Sequence, residues 1–228
     1  MRYIFVMRER ARSAEDKAQR SEDLLAAAEA LALEMGGVRF VTVGSVTERA
    51  GIHRTGVRRY YASKEELLLA LAERGWGRWR DAVLAATEGR SELSPTDVAM
   101  ILAETITDSA VFCDLLAHAA MRLEDEVDIE RARRYKTTAT DAHDTLLAAL
   151  SRACTMTPTQ LQTLVGTTVA LTASLWQASH PGPTLMDLYE QEPRFAHAAL
   201  DFEPRLAVIL QATAIGLVTL LPEPEAKP

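Results

Sequence analysis

Breakers are scarce in this chain: 11 glycines and 9 prolines among 228 residues, with aromatic residues at only 6%. Such a composition, rich in alanine and leucine, argues for an all-α protein. Cysteine is scarcer still. Cys113 and Cys154 lie in apolar helical contexts without CxxC or Cys/His spacing, so they read as buried free thiols in a reducing compartment. No apolar run is expected to approach the roughly 18 residues that span a bilayer. The start, MRYIFVMRERARSAED, has too short an apolar core for a signal peptide. A cytoplasmic protein that avoids membranes is therefore expected.

Catalytic constellations are also missing. The five histidines (His53, His118, His143, His180, His197) are scattered, and there is no HExxH, no GxSxG and no Gly-rich phosphate loop. No catalytic residue, cofactor or metal is expected. His118 and His143 could take a ligand or metal, but satisfied histidines at the core boundary explain them as well. The acidic run at residues 124–128 has no neighbouring histidine and reads as a helix-capping turn.

What is present is a divided charge. The whole chain carries −7, yet residues 1–64 hold 12 Lys+Arg against 8 Asp+Glu, and the remainder holds 13 against 24. A positive head on an acidic body suits a protein that orients on a polyanion. Within the head, residues 42–67 read TVGSVTERAGIHRTGVRRYYASKEEL. Thr42 is a good N-cap, after which Val43, Val46 and Ala50 share a helical face. Gly51 stands where a helix ends and the chain reverses. Ile52, Val57 and Tyr61 then form the inner side of a second helix, leaving Arg54, Thr55, Arg58, Arg59 and Tyr60 outward. That is the layout of a helix-turn-helix. Ser63-Lys64-Glu65-Glu66 supplies a capping box for a third, long helix.

This run resembles the DNA-binding segment of TetR-type transcriptional regulators, through Thr42, Ala50-Gly51, Ile52, Tyr61 and Ser63-Lys64-Glu65-Glu66-Leu67. The resemblance covers residues 21–72. It departs from the family's usual residues at Val46-Thr47, His53, Arg58 and Tyr60-Tyr61. The candidate DNA-binding residues are Thr42, Arg54, Thr55, Gly56, Arg58, Arg59, Tyr60, Tyr61 and Lys64. Arg54 and Thr55 lie at the end of the recognition helix that usually meets base edges, with Gly56 permitting close approach. Arg58, Arg59, Tyr60 and Lys64 are better placed for phosphates.

Along the chain, residues 1–20 read as a mobile basic arm, and Ser21 as the cap of a first helix ended by Gly36-Gly37. The helix from Lys64 to Thr87 is apolar over a broad face; Gly75 and Gly77 either bend it or allow close packing. Ser94-Pro95 and Thr157-Pro158 open further helices, each with a cap and proline at the first turn. Arg131, Arg133, Arg134 and Lys136 are expected outside, paired with the acidic turn. After His180 an irregular polar segment should run to Asp201, followed by a nearly uncharged helix to Leu221 and a disordered tail.

The expected fold is all-α: a three-helix helix-turn-helix head (residues 1–66) on a helical-bundle ligand-binding and dimerisation domain (residues 67–228). The resemblance implies a homodimer through the two C-terminal helices, a palindromic double-stranded DNA operator and release by a small apolar or amphipathic effector. Candidate effector-pocket residues are Trp79, Met100, Phe112, His118, Met121, Tyr135 and Trp176, although the same residues could simply fill a core. Two rival classes remain: a helical ligand-binding protein or enzyme that ignores DNA, and an acidic protein-recruiting module.

Overall fold

The computed structural model describes residues 2–53, 56–198 and 201–220, and the side chains among them except those of residues 2–14, 120, 121, 197 and 198. Arg54, Thr55, the side chain of Met121 and the tail beyond Leu220 lie outside the described residues. The described helices are α1 (Arg2–Met35), α2 (Val43–Arg49), α3 (Lys64–Thr87), α4 (Pro95–Thr107), α5 (Ala110–His118), α6 (Ile129–Ala153), α7 (Pro158–Ser179), α8 (Pro183–Gln191) and α9 (Phe202–Leu220). Among the described residues there is no strand, only a parallel bridge between Leu93 and Cys154.

Local chemistry explains most helix starts. Thr42 accepts from the Ser45 amide, and Ser45 returns the bond to the Thr42 amide. Ser94 with Asp97, and Thr157 with Gln160, close the same reciprocal box, each followed by proline. Ser63 accepts from the Glu66 amide, but Glu66 reaches back to the Ala62 amide instead of that of Ser63. Asp128 caps α6 through the amides of Glu130 and Arg131, so the acidic run ends in a cap as expected. Gly51 takes φ +64° and Gly36 φ +73°, the left-handed region in which a side chain is strained.

The core runs continuously from head to body. α3 packs chiefly on α6 and also meets α1, α4 and α5, while α9 lies along α4 and α7. At the centre, Trp76, Trp79 and Phe112 meet with centroids 5.5–6.4 Å apart. A Cβ on Gly75 would stand 2.2 Å from the Phe112 ring, so this glycine exists for close packing. Gly77 meets no such crowding.

Five expectations need correction. Residues 2–20 are not a loose arm; they belong to α1, and Ser21 is inside it rather than capping it. Arginine, glutamate, alanine, lysine and glutamine favour helix without an apolar stripe, and no glycine or proline interrupts before Gly36. The stretch after His180 holds α8 and a 3-10 turn at Pro193–Ala198. Gly182 precedes Pro183 at the first helical position, a start signal rather than a stop. Arg131 is buried, not outside: its guanidinium meets Glu73 at 2.7 Å and the Glu66 carbonyl at 3.3 Å. Lys136 does pair with Glu124 in the acidic turn. An apolar run of bilayer length also exists. α9 has 19 residues at hydropathy 1.3, enough by length and composition alone, yet it packs on α4 and α7 through Leu206, Leu210 and Ala214. Finally, Cys113 is buried but Cys154 is only half-buried; both are free.

Candidate nucleic-acid interface and effector cavities

The turn after α2 places the head's outward face. Its described part is a single 3-10 turn, Val57–Arg59, rather than the expected helix. Hydrogen bonds run three residues back, from Gly56 to His53, Arg59 to Gly56 and Tyr60 to Val57, and only Tyr61 to Val57 spans four. Gly56 costs a helix about 1 kcal/mol relative to alanine, which favours the tighter winding. Val57 is buried, Arg58 and Arg59 are exposed, and Tyr60 after them is half-buried.

Tyr61 lies on the inner side of the turn, as its spacing with Ile52 and Val57 implied. It is buried, and its hydroxyl lies 2.8 Å from Ser21 Oγ, so it anchors the turn to α1 instead of facing outward. Burial pushes its phenol pKa up. Lys64 donates to the Arg39 carbonyl at 2.9 Å, and partial burial lowers its pKa. It ties α3 to the 3-10 turn Val38–Phe40. The Thr42 hydroxyl is committed to its capping box.

The head is held to the body by charged contacts between α1 and α3. Arg74 reaches Glu22 and Glu29, and Arg78 also meets Glu29. A second tie is Asp114 in α5, a buried carboxylate. Its Oδ2 accepts from the Val38 amide at 2.7 Å, and its Oδ1 accepts from Gln177 Nε2 at 2.7 Å, with His118 Nε2 at 3.6 Å. Burial pushes this carboxyl up, but hydrogen bonds from His118, the Val38 amide and Gln177 outweigh it and hold the pKa below the ordinary value. Sequence reading passed over Asp114. The available signal was a lone acid in the otherwise apolar run AVFCDLLAH.

Residues 73–219 match the model of the tetracyclin repressor-like C-terminal domain, well over half of the chain. The chain belongs to the TetR family. It is a transcriptional regulator with the all-α architecture of that family. A structure ascribed to a TetR-family regulator of Streptomyces coelicolor A3(2) shares the fold, with TM-score 0.53 and 19% identity over 90% of this chain and 99% of its own. Another, from Mesorhizobium loti, aligns at TM-score 0.49 and 14% identity over 90% and 97%. No curated protein matches the chain.

Among the described cavities of this TetR-family chain, no one cavity is lined by more than one of the candidate effector residues. Phe112 and Tyr135 fill the core, with the Tyr135 hydroxyl 3.3 Å from Trp76 Nε1. Met100 packs against Gln211 of α9. His118 pairs with Asp114, as a boundary histidine does. Trp79 lines a recess of about 380 Å³ with Glu29, Arg78, Thr105 and Asp108. Trp176 lines a separate cavity of about 190 Å³ at the seam between α1, α5 and α7. The two share the wall residues Leu33, Ala110 and Val111. A wider recess of about 540 Å³, at the far end of α3 and α6, is bordered by none of the expected residues. Among the described residues no cluster of His, Cys, Asp and Glu could hold a metal ion.

Proposed function

We propose that this TetR-family regulator binds a palindromic operator as a homodimer through α7 and α9, and that a small effector in the body releases it, making it a repressor. The observation that carries DNA reading is the exposed Arg58-Arg59 pair on a turn pinned from behind by buried Val57 and Tyr61. Two cations on a rigid mount suit phosphate contacts, with Arg54 and Thr55 the candidates for base edges.

The surface of α9 supports the dimer. Val208, Ala212, Ile215 and Thr219 form an exposed, uncharged stripe opposite the buried Leu206, Leu210 and Ala214. Val208 is 64% exposed and Ile215 54%. On α7, Gly166, Ala170 and Ser174 are exposed at four-residue spacing, a smooth face against which a second helix can lie closely. Two such faces favour a two-fold contact, and a dimer sets two reading heads at the spacing a palindrome requires.

The test is selection from random duplexes and from DNA flanking the gene, at two salt concentrations. A palindrome should be enriched, with affinity falling steeply as salt rises. Arg58→Ala/Arg59→Ala should lose the enrichment and remain dimeric. Val208→Asp/Ile215→Asp should run as a monomer and lose the palindrome. A folded dimer that selects no sequence at low salt would overturn the proposal in favour of a ligand-binding protein that ignores DNA.

A further inference from the structure

We propose that the cavity between α1, α5 and α7 is a binding site for a small organic ammonium ion on a flat apolar body, anchored by Asp114. The inference rests on the effector reading above and assigns that reading a place and a ligand class. Three observations carry it.

The first is charge. Asp114 is 6% exposed and lies in the cavity wall, while its described partners are an amide N–H, a carboxamide and a histidine. No lysine or arginine lines this cavity among the described residues. The Arg39 guanidinium lies over the Phe40 ring, with its nitrogens beside Gly182. Its hydrogen bonds keep Asp114 ionised but bring no fixed cation, so a buried negative charge borders the cavity, and a carboxylate has lone pairs left for another donor. The second is shape. Trp176 and His180 stack at 3.7 Å with planes 18° apart, Phe202 packs edge-on against Trp176, and both stacked rings border the cavity, giving it an aromatic wall beside which a cation or a flat ring can lie. Ala32, Leu33 and Val111 close the other sides. At about 190 Å³ the space is below the roughly 300–1,000 Å³ of common ligand pockets, so the occupant is small.

The third observation is position. Gly37 caps the turn Val38–Phe40 with no side chain of its own, and the body's Asp114 takes the Val38 amide in its place. Gly37 has φ +149°, and a Cβ there would come within 3.3 Å of Asp114 Oδ2. Four residues on from Val38 stands Thr42, the cap of α2. An ammonium on Asp114 would share the carboxylate with the Val38 N–H and so couple the ligand to the turn that leads into α2.

The experiment titrates full-length protein, without DNA, with phenethylamine, its neutral isostere phenethyl alcohol and phenylpropanoate, following tryptophan fluorescence and heat of binding. The amine should bind at least about tenfold more tightly than the alcohol, the scale of a hydrogen bond to a charged partner. Phenylpropanoate should not bind. Asp114→Asn should equalise amine and alcohol, and Trp176→Phe should remove the fluorescence response. Should Asp114→Asn fail to fold, Ala110→Phe, which fills the shared wall, should abolish amine binding in a folded protein. Equal binding of amine and alcohol, no amine binding, or an amine preference that survives these substitutions would overturn the site. The titration needs no operator, so failure to find one leaves this result standing while removing the regulator reading.

Discussion

The centre of the body is held mainly by apolar packing, whereas the seam beneath the head adds charged and hydrogen-bonded contacts to that packing. In the body, α3 and α5 meet through Trp76, Trp79 and Phe112, packed so closely that position 75 has room only for glycine. At the seam, α1 and the turn Val38–Phe40 share the continuous apolar core through Leu24, Ala28, Ala32 and Val38, and Arg74, Arg78 and Asp114 add polar contacts to it. Apolar packing is non-directional and lost only by opening the core. Polar latches are directional and weak singly, so they can be released while the core stays shut.

Substitutions can break this contrast, and the largest effect belongs in the body. Phe112→Ala removes a fully buried ring and should cost about 3–5 kcal/mol in urea unfolding. Gly75→Val drives a side chain into the same ring and should destabilise by about 1–3 kcal/mol or more. Asp114→Ala comes next, at about 1–3 kcal/mol, because the Val38 amide and Gln177 lose their acceptor. The folded pKa of Asp114 is depressed, so its contribution is complete above the unfolded carboxylate value and is lost as pH falls through the folded one. Wild type should therefore lose stability more steeply in acid than Asp114→Ala; parallel acid limbs would show that Asp114 holds nothing. Arg74→Ala should have the smallest effect, under about 1 kcal/mol and shrinking as salt rises. Its signature is faster amide exchange in α1 with unchanged protection around Phe112. If exchange rises equally in both, head and body do not separate as described.

Much of this architecture was legible because the chain announces it locally. Thr42, Ser63, Ser94, Asp128 and Thr157 all cap the helices that follow them. A cap works through bonds to its own next turn, so nothing distant need be known. Gly51 was readable for the same reason. Less legible was anything whose partner is far along the chain. Arg131 looks like one of four surface cations until α3 brings Glu73 to it across 58 residues. Tyr61 reads on the inner side of its helix, as its burial bears out, but its tie to Ser21, 40 residues earlier, was not foreseen. Trp176 was grouped with Phe112 and Tyr135 as a pocket residue, whereas the cavity it borders is lined by His180, Asp114 and Gly36-Gly37.

The amino-acid order alone determined where the capped helices α2, α3, α4, α6 and α7 begin, that the chain is all-α, and that its positive charge gathers in the head, since these depend on near neighbours and on composition. Which apolar residues became solid core and which bordered a cavity was decided only by tertiary structure. Phe112 and Trp176 are both aromatic residues on apolar helices. One meets a glycine that lets α3 press against it, and the other stacks on His180 beside a carboxylate borrowed from α5. The difference lies in what stands opposite each ring, and a helix's own periodicity carries no record of that.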